Sequence, residues 1–313
     1  MNHMRQPRPL GTAPAAVERP ARWLHIDDLN RTQANALAQR YDVPTTWLVD
    51  VTNSHADPRV EDLANKEDGQ ALILIRAPYQ TTTANGITAY ETMPVAFILH
   101  DDLLITACAA PLPILTEWER LAEVHGTVTT FAAAAIHAVC DAFTATADTV
   151  DDTTRKMEKR VTSSSHNDLL LEIMAMEKSL VYLSAALGHM QSVMAELRKV
   201  DYLFTTDSTA GELLYRANIE LNEGLTLVES TEQILEQYNA AISAIVGNNL
   251  NLIMKMLTSV SILLAIPPII SGIWGQNTWI PWQHGASGFW IVFAISAALT
   301  GMVAWWLKRR KYF

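Results

Sequence analysis

Seven residues near the C-terminal end of the chain share one helical face. Asn251, Met254, Thr258, Ser261, Ala265, Pro268 and Gly272 follow one another by steps of three and four, and Leu257, one residue before Thr258, is grouped with them. Apart from Met254 and Leu257, this face carries only amide, hydroxyl and small groups. Two kinds of chemistry use such a face. Small residues let helices pack closely in a membrane, and small polar residues line a path that a hydrated ion can enter and leave. A second constellation is acidic. Between Asp201 and Glu236 stand Asp201, Asp207, Glu212, Glu220, Glu223, Glu229, Glu232 and Glu236 against one base, Arg216. Glu212 and Glu220 each lie four residues from Arg216 and are placed to pair with it. Glu229, Glu232 and Glu236 repeat on one face, either as a solvated surface or as a wall that attracts or senses cations. Asp101 and Asp102, in a turn, are further candidates for that role.

Most enzyme chemistry has no footing here. The chain has no GxxxxGK[ST] loop, no HExxH, no nucleophile elbow and no paired-carboxylate site, so it reads as no enzyme and as holding no permanent cofactor. Nine histidines are scattered, and His137 with Cys140, three apart, reads as helix packing. A net charge of −10 and a pI near 5.3 exclude a nucleic-acid partner, which needs a basic surface. Cys108 and Cys140 are the only cysteines and form no CxxC, which places the polar part in a reducing compartment.

The elements that must position these residues follow from charge and periodicity. Of the 313 residues 49% are hydrophobic, yet no Asp, Glu, Lys or Arg occurs in the 52 residues between Lys255 and Lys308. A bilayer span needs roughly 20 apolar residues, so the gap holds two spans, near 253–274 and 289–307. Lys308-Arg309-Arg310-Lys311 follows the second span, while residues 275–288 contain no Lys or Arg. The positive-inside rule then puts both termini in the cytoplasm. Trp274, Trp279, Trp282, Trp290, Trp305 and Trp306 cluster at the two interfaces as an aromatic belt.

Ahead of the spans, residues 1–20, with four prolines and no signal-like apolar run, read as a mobile tail. Residues 21–110 read as an α/β unit. It has a strand at Trp23–Ile26, a helix at Thr32–Arg40, a strand at Gln70–Pro78, a hairpin signal at Asn85-Gly86, and an antiparallel pair at Val95–Leu99 and Leu103–Ala107. Residues 111–250 read as long helices near 114–161, 167–204 and 212–274, the last running into the membrane region 251–313. At ~1.5 Å per residue the third helix is about 95 Å long, of which about 60 Å lies outside the hydrocarbon core as a stalk. Its packing seam runs through Leu214, Ala217, Leu221, Leu225, Val228, Leu235, Tyr238, Ile242 and Ile245. The fold class is thus an α+β cytoplasmic domain, a long helical stalk and two transmembrane helices in a cell membrane.

The segment NLIMKMLTSVSILLAIPPIISGIWGQNTWIP, Asn251 to Pro281, resembles the CorA family of magnesium and divalent-cation channels, whose members include ZntB-like proteins. The matching positions are Asn251, Met254, Lys255, Leu257 and Thr258, the mid-span Pro267 and Pro268, and Gly275-Gln276-Asn277 where the family has Gly-Met-Asn. The stretch Asp57-Pro58-Arg59-Val60-Glu61 extends the resemblance less specifically. The resemblance implies a funnel-shaped homopentamer admitting divalent cations, Mg2+ first with Co2+ or Ni2+ as alternatives, and Mg2+ also as a regulatory ion. By the same resemblance Gly275, Gln276 and Asn277 form the selectivity filter, with Asn277 holding the hydrated ion, and carboxylates between cytoplasmic domains sense Mg2+. Two departures stand out. Gln276 replaces Met, and the loop 275–288 carries no carboxylate, His284 being its only ionisable side chain. They leave open a ZntB-like zinc transporter, proton-coupled or not. A membrane-anchored helical scaffold without transport is the reading of a different class.

Overall fold

A computed structural model describes residues 8–9, 21–63, 69–100, 102–161, 166–200, 208–276, 281, 286–310 and 312. The chain divides into two compact units, Met1–Tyr238 and Asn239–Phe313.

The first unit is built on a six-stranded sheet in the order β1-β2-β6-β5-β4-β3. Its strands are β1 (Arg8–Pro9), β2 (Arg22–Ile26), β3 (Arg59–Glu61), β4 (Gln70–Thr82), β5 (Thr88–His100) and β6 (Leu103–Cys108). β4 and β5 form a long antiparallel hairpin in register from Gln70↔His100 to Thr82↔Thr88. Its turn is closed by Gly86 N–H to Thr83 C=O at 2.9 Å, with Gly86 at φ +78°, as the Asn-Gly signal anticipates. β2 instead runs parallel to β6, a pairing that needs the intervening helices as a crossover. Arg8 and Pro9, within the segment read as a tail, pair with Trp23 and Arg22.

Alternation along the strands gives the sheet two apolar faces. One carries Leu72, Leu74, Ala96, Ile98 and Ile105, packed on α1 (Arg31–Tyr41) and α2 (Thr45–Val51) through Leu37, Trp47 and Leu48. The other carries Ile73, Ile75 and Phe97; Phe97 meets Trp118 edge-on at 5.3 Å, and Trp23 meets Phe131 at 5.0 Å. Trp118 and Phe131 belong to α3 (Leu115–Val124) and α4 (Val128–Val161). α5 (His166–Leu197) and α6 (Ser208–Trp274) follow, and α7 (Ala286–Arg309) completes the second unit.

Several boundaries differ from expectation. The helix read at 114–161 is two helices. Its break falls at His125-Gly126-Thr127, where Thr127 caps α4 by accepting the Thr130 N–H at 3.2 Å, and the Trp118 indole ties α3 back to the Ala135 carbonyl at 3.2 Å. A run of helix formers hid this turn because Thr and Gly signal a cap only once the partner helix is known. The short α2 and β3 are additions to the expected elements. They begin directly after Pro44 and Pro58, since a proline that cannot continue one element can still open the next. α5 stops at Leu197, ahead of the expected 204; residues 201–204 lie outside the described residues.

Among the described residues, three helices are long and apolar enough to cross a membrane: Val128–Arg160, Thr209–Trp274 and Ser287–Arg309. The apolar window of the first is 67% buried in its own unit, against 11% for each of the other two. Composition alone cannot tell them apart; what surrounds them does.

Candidate functional site

The expected lining residues all lie on α6. Asn251, Met254, Leu257, Thr258, Ser261, Ala265, Pro268 and Gly272 are exposed on the single chain. The positions of this segment withdrawn from the surface are different ones: Ser259 and Ile270 are buried, Leu263 and Ile266 half-buried, repeating by four, three and four. At 100° per residue the two stripes are centred roughly 140° apart round the helix. The face that the sequence picks out as small and polar is therefore left uncovered within its unit. Ser261 donates its hydroxyl to the Leu257 carbonyl at 2.9 Å, which satisfies its hydrogen and leaves oxygen lone pairs facing outward. Ser259 does the same to Lys255 at 2.8 Å, so its buried hydroxyl costs little in an apolar medium.

α6 continues through Pro267 and Pro268 and ends at Trp274. The Gly275 amide donates to the Ser271 carbonyl at 2.9 Å and the Gln276 amide to Ile273 at 3.4 Å, closing the last turn. A Cβ on Gly275 would come 3.2 Å from the Ser271 oxygen, so glycine suits this tight exit. Gln276 is exposed. Asn277, Trp279, Trp282 and His284 lie outside the described residues. At the far end of α7, Arg309 sits 5.4 Å over the Trp305 ring and Arg310 5.6 Å over Trp306, cation–π pairs of the kind that anchor a basic helix end at an interface.

Of the acidic candidates, Glu229 and Glu236 are exposed and Glu232 half-buried. They flank the seam that α6 turns into its unit: Leu214, Ala217, Leu221, Val228 and Leu235 are buried as expected, and Thr231 joins them. None of the three carboxylates forms an ion pair among the described residues. Arg216 pairs with Glu212 at 2.6 Å. The Glu220 carbonyl accepts a hydrogen bond from Thr144 at 3.1 Å. Asp102 is exposed and its carbonyl accepts the Arg22 amide at 2.7 Å; Asp101 lies outside the described residues. Cys108 and Cys140 are free and buried, burial pushing the Cys108 thiol up to about 12 and the Cys140 thiol upward as well. His137 stands 3.6 Å from Asp141.

Sequence reading missed two polar clusters in the first unit. Arg59 bridges Asp50 and Glu61 at 2.5 Å each, and the Trp47 indole donates to Glu61 at 2.8 Å. The stretch 57–61 is thereby explained as a clamp between α2 and the sheet edge. Arg76 donates to the Ser54 and Ala56 carbonyls at 2.9 and 3.0 Å and to Thr92, forming the floor of a cavity of about 320 Å³ lined also by Asp57, Glu91 and His189. Glu91 accepts from Lys178 at 3.0 Å and from Tyr79 at 2.9 Å.

Charge in these clusters sets a pH dependence. Burial alone would raise Glu61, but hydrogen bonds from Arg59 and Trp47 and the Arg59 charge hold it below its ordinary 4.5. The Lys178 hydrogen bond, helped by Tyr79, outweighs burial and does the same for Glu91. A carboxyl depressed in the folded state contributes stability above its unfolded value, lost as pH falls through the folded one. The melting temperature of the solubilised protein should therefore change little from these groups between pH ~7 and ~5 and decline below pH ~4.5. Glu91→Gln should shallow that decline; an unchanged acid limb would show that the cluster contributes nothing.

An α+β head whose last helix runs on as a charge-free apolar segment, followed by a second apolar helix with a basic end, is the architecture of a membrane protein. The family model described as "CorA-like Mg2+ transporter protein" matches residues 19–309, and the chain belongs to that family of divalent-cation transporters; it is not an enzyme. The cobalt/magnesium transport protein CorA of Methanocaldococcus jannaschii is 21% identical over 294 residues, 92% of this chain and 90% of that protein. The complete structure of the CorA magnesium transporter from the same organism superposes with a TM-score of 0.79 at 18% identity, covering 96% of this chain and 94% of that one. The full-length CmaX protein follows at 0.70 and 16% identity, covering 95% and 90%. The ZntB cytoplasmic domain from Vibrio parahaemolyticus RIMD 2210633 gives 0.60 at 14%, covering 79% of this chain and 98% of the domain.

Proposed function

We propose that five copies of the chain assemble around a central pore lined by α6, that both termini lie in the cytoplasm, and that the pore admits Mg2+, with Co2+ or Ni2+ as alternatives. The observation that carries this reading is the small-polar character of the stripe from Asn251 to Gly272, uncovered like the apolar residues on either side of it and centred away from the stripe buried within the unit. A path between subunits uses such a face; a packing face within one hairpin would be covered. The signature Gly275-Gln276-Asn277 stands at the outer end of the lining helix, and five Asn277 amides form the filter. Mg2+ surrenders its waters reluctantly, so a ring of neutral oxygens holds the hydrated ion without trapping it. A divalent ion moving inward gains about 4.6 kcal/mol per 100 mV, at ~2.3 kcal/mol per charge, without nucleotide hydrolysis. The acids of α6 draw cations along the cytoplasmic side, and internal Mg2+ acts on them as a regulator.

Uptake into proteoliposomes, run separately with Mg2+, Co2+, Ni2+ and Zn2+ and with or without a pH gradient, tests the proposal. Mg2+ uptake that follows the membrane potential and ignores the pH gradient is the expected result. Uptake of Zn2+ alone, stimulated by acid outside, would assign the chain to proton-coupled zinc transport, and no uptake by an assembled oligomer would leave a scaffold.

The neutral loop 275–288 adds a further expectation. An acidic ring would concentrate cations by an attraction that fades as the Debye length falls from ~10 Å at 0.1 M salt to ~3 Å at 1 M. With no carboxylate in the loop, uptake at clamped potential should vary little with external ionic strength. A steep loss of uptake with added salt would show that carboxylates elsewhere crowd the outer mouth.

A further inference from the structure

Helices α4 and α6 meet closely at two places, Thr144 with Gly224 and Asp151 with Thr231, seven residues apart on both. The Thr144 hydroxyl donates to the Glu220 carbonyl at 3.1 Å, and a Cβ on Gly224 would come 3.2 Å from the Thr144 oxygen. Seven residues on, the Thr231 hydroxyl reaches the Asp151 carboxylate at 3.3 Å while also bonding its own Leu227 carbonyl at 2.8 Å. Asp151 is held from the other side by Arg155 at 2.6 Å. The offsets agree, since 224 − 144 and 231 − 151 are both 80, so the two helices run parallel in one register. Asp151 and Thr231 are buried, 7% and 0% exposed, and buried polar partners of this kind specify register between helices.

One group does not fit this register. The Thr154 hydroxyl is fully buried and has no hydrogen-bond partner among the described residues. Three other threonines of the same helix, Thr146, Thr149 and Thr153, return their hydroxyls to the carbonyl four residues back at 2.7 to 2.8 Å. At the offset of 80, Thr154 is level with the apolar Ile234. A buried polar group left unpaired in a native structure calls for an explanation.

We infer that α6 has two registers along α4, and that Thr154 is the partner of Thr231 in the second. Moving α6 toward its C-terminus by three residues, about 4.5 Å, brings Thr231 level with Thr154. The same step brings Gly224 level with Ala147, which is small and buried, so the close approach at Gly224 survives it. Asp151 gives up Thr231 and keeps Arg155. Packed helices move between discrete arrangements such as these because the intermediate positions lose both sets of contacts. α6 continues unbroken to Trp274, so its axial position is a variable that the lining segment shares. Thr154, Asp151 and Thr231 are positioning residues; none touches the ion. This inference rests on the proposed transport function for its consequence but not for its geometry.

The test uses the full-length protein in lipid nanodiscs, diluted with unlabelled subunits, with spin labels on Asp148→Cys and Gln237→Cys, two exposed positions; the native cysteines are buried. Pulsed electron–electron resonance should give two distances whose axial components differ by about 4.5 Å. Thr154→Val, which removes the unpaired hydroxyl at nearly constant volume, should leave only the register in which Thr231 meets Asp151 and raise the melting temperature, while Thr154→Ser should retain both distances. In proteoliposomes, the ratio of uptake at low and high internal Mg2+ should fall roughly five-fold or more in Thr154→Val and stay at the wild-type value in Thr154→Ser. A single distance in the wild type, unchanged by Thr154→Val, overturns the inference. Failure of the wild type to take up Mg2+ at all would instead strike the proposed function, leaving the distance measurement to decide the two registers.

Discussion

Asn277→Ala is expected to abolish ion uptake while the protein still assembles. The substitution removes one neutral amide per subunit, a change expected to have little effect on stability, yet it removes every member of the proposed ring that acts collectively on the hydrated ion. The measurement is Mg2+ uptake into proteoliposomes at fixed potential, with oligomer mass checked in the same preparation. Uptake should drop to the rate of empty liposomes. Wild-type uptake by an intact oligomer would remove Asn277 from the filter and return the small-polar stripe of α6 to helix packing. Asn277→Gln separates chemistry from size, since it keeps the amide and lengthens the arm.

Neutralising Glu229, Glu232 and Glu236 together with glutamine should have the next largest effect. The three carboxylates share one side of α6 without cationic partners among the described residues, so their field acts on mobile ions. Clefts lined by one sign of charge raise local ion concentration by ~10-fold or more. Conductance of the triple variant at low salt should be lower by about that factor, and the difference should shrink toward parity near 1 M salt, where the Debye length is ~3 Å. The variant should also shift the dependence on internal Mg2+. Identical conductance across salt and internal Mg2+ would make the acidic face a solvated surface. Glu229 and Glu236 are exposed and Glu232 half-buried, and glutamine keeps the shape of each side chain, so loss of assembly is not expected.

The long-range plan of the molecule is written in features that sequence displays directly. The 52-residue gap in charge marks the apolar helices because a bilayer tolerates so few ions, and the apolar run in QALILIRAP marks β4 because a sheet buried on both faces needs apolar residues at both parities. The seam on α6 was legible for the same reason: Leu214, Ala217, Leu221, Val228 and Leu235 keep the helical period and are buried. What sequence concealed depends on partners distant along the chain. The parallel pairing of β2 with β6 joins residues some 80 positions apart, and no local pattern encodes it. Asp151 reads as an ordinary polar break in an Ala-rich helix until Thr231 is brought beside it. Arg59, Asp50 and Glu61 carry charges common on any surface, and only the fold makes them a clamp. For the ion path the division is similar. The chemistry of the stripe from Asn251 to Gly272 can be read from residue types, whereas the stripe that is covered, Ser259 to Ile270, emerges only once the unit has folded.

The burial of α4 bears on how the chain is made. Residues 128–160 are long and apolar enough to be taken for a span, and they leave the ribosome well before α6 and α7. What withholds them from the bilayer is the sheet and the helices that cover two-thirds of that window. Folding of the head is therefore a step in establishing topology, in addition to shaping the domain itself. With α4 sequestered, the proposed two spans return the end of the chain to the side from which it started. A head that fails to close offers the insertion machinery three acceptable segments, and an odd number of crossings leaves the basic end on the opposite side of the membrane from the N-terminus. Loss of packing around Phe131 or Phe143 would then be felt as misinsertion, with the defect appearing in the membrane and its cause lying in the head.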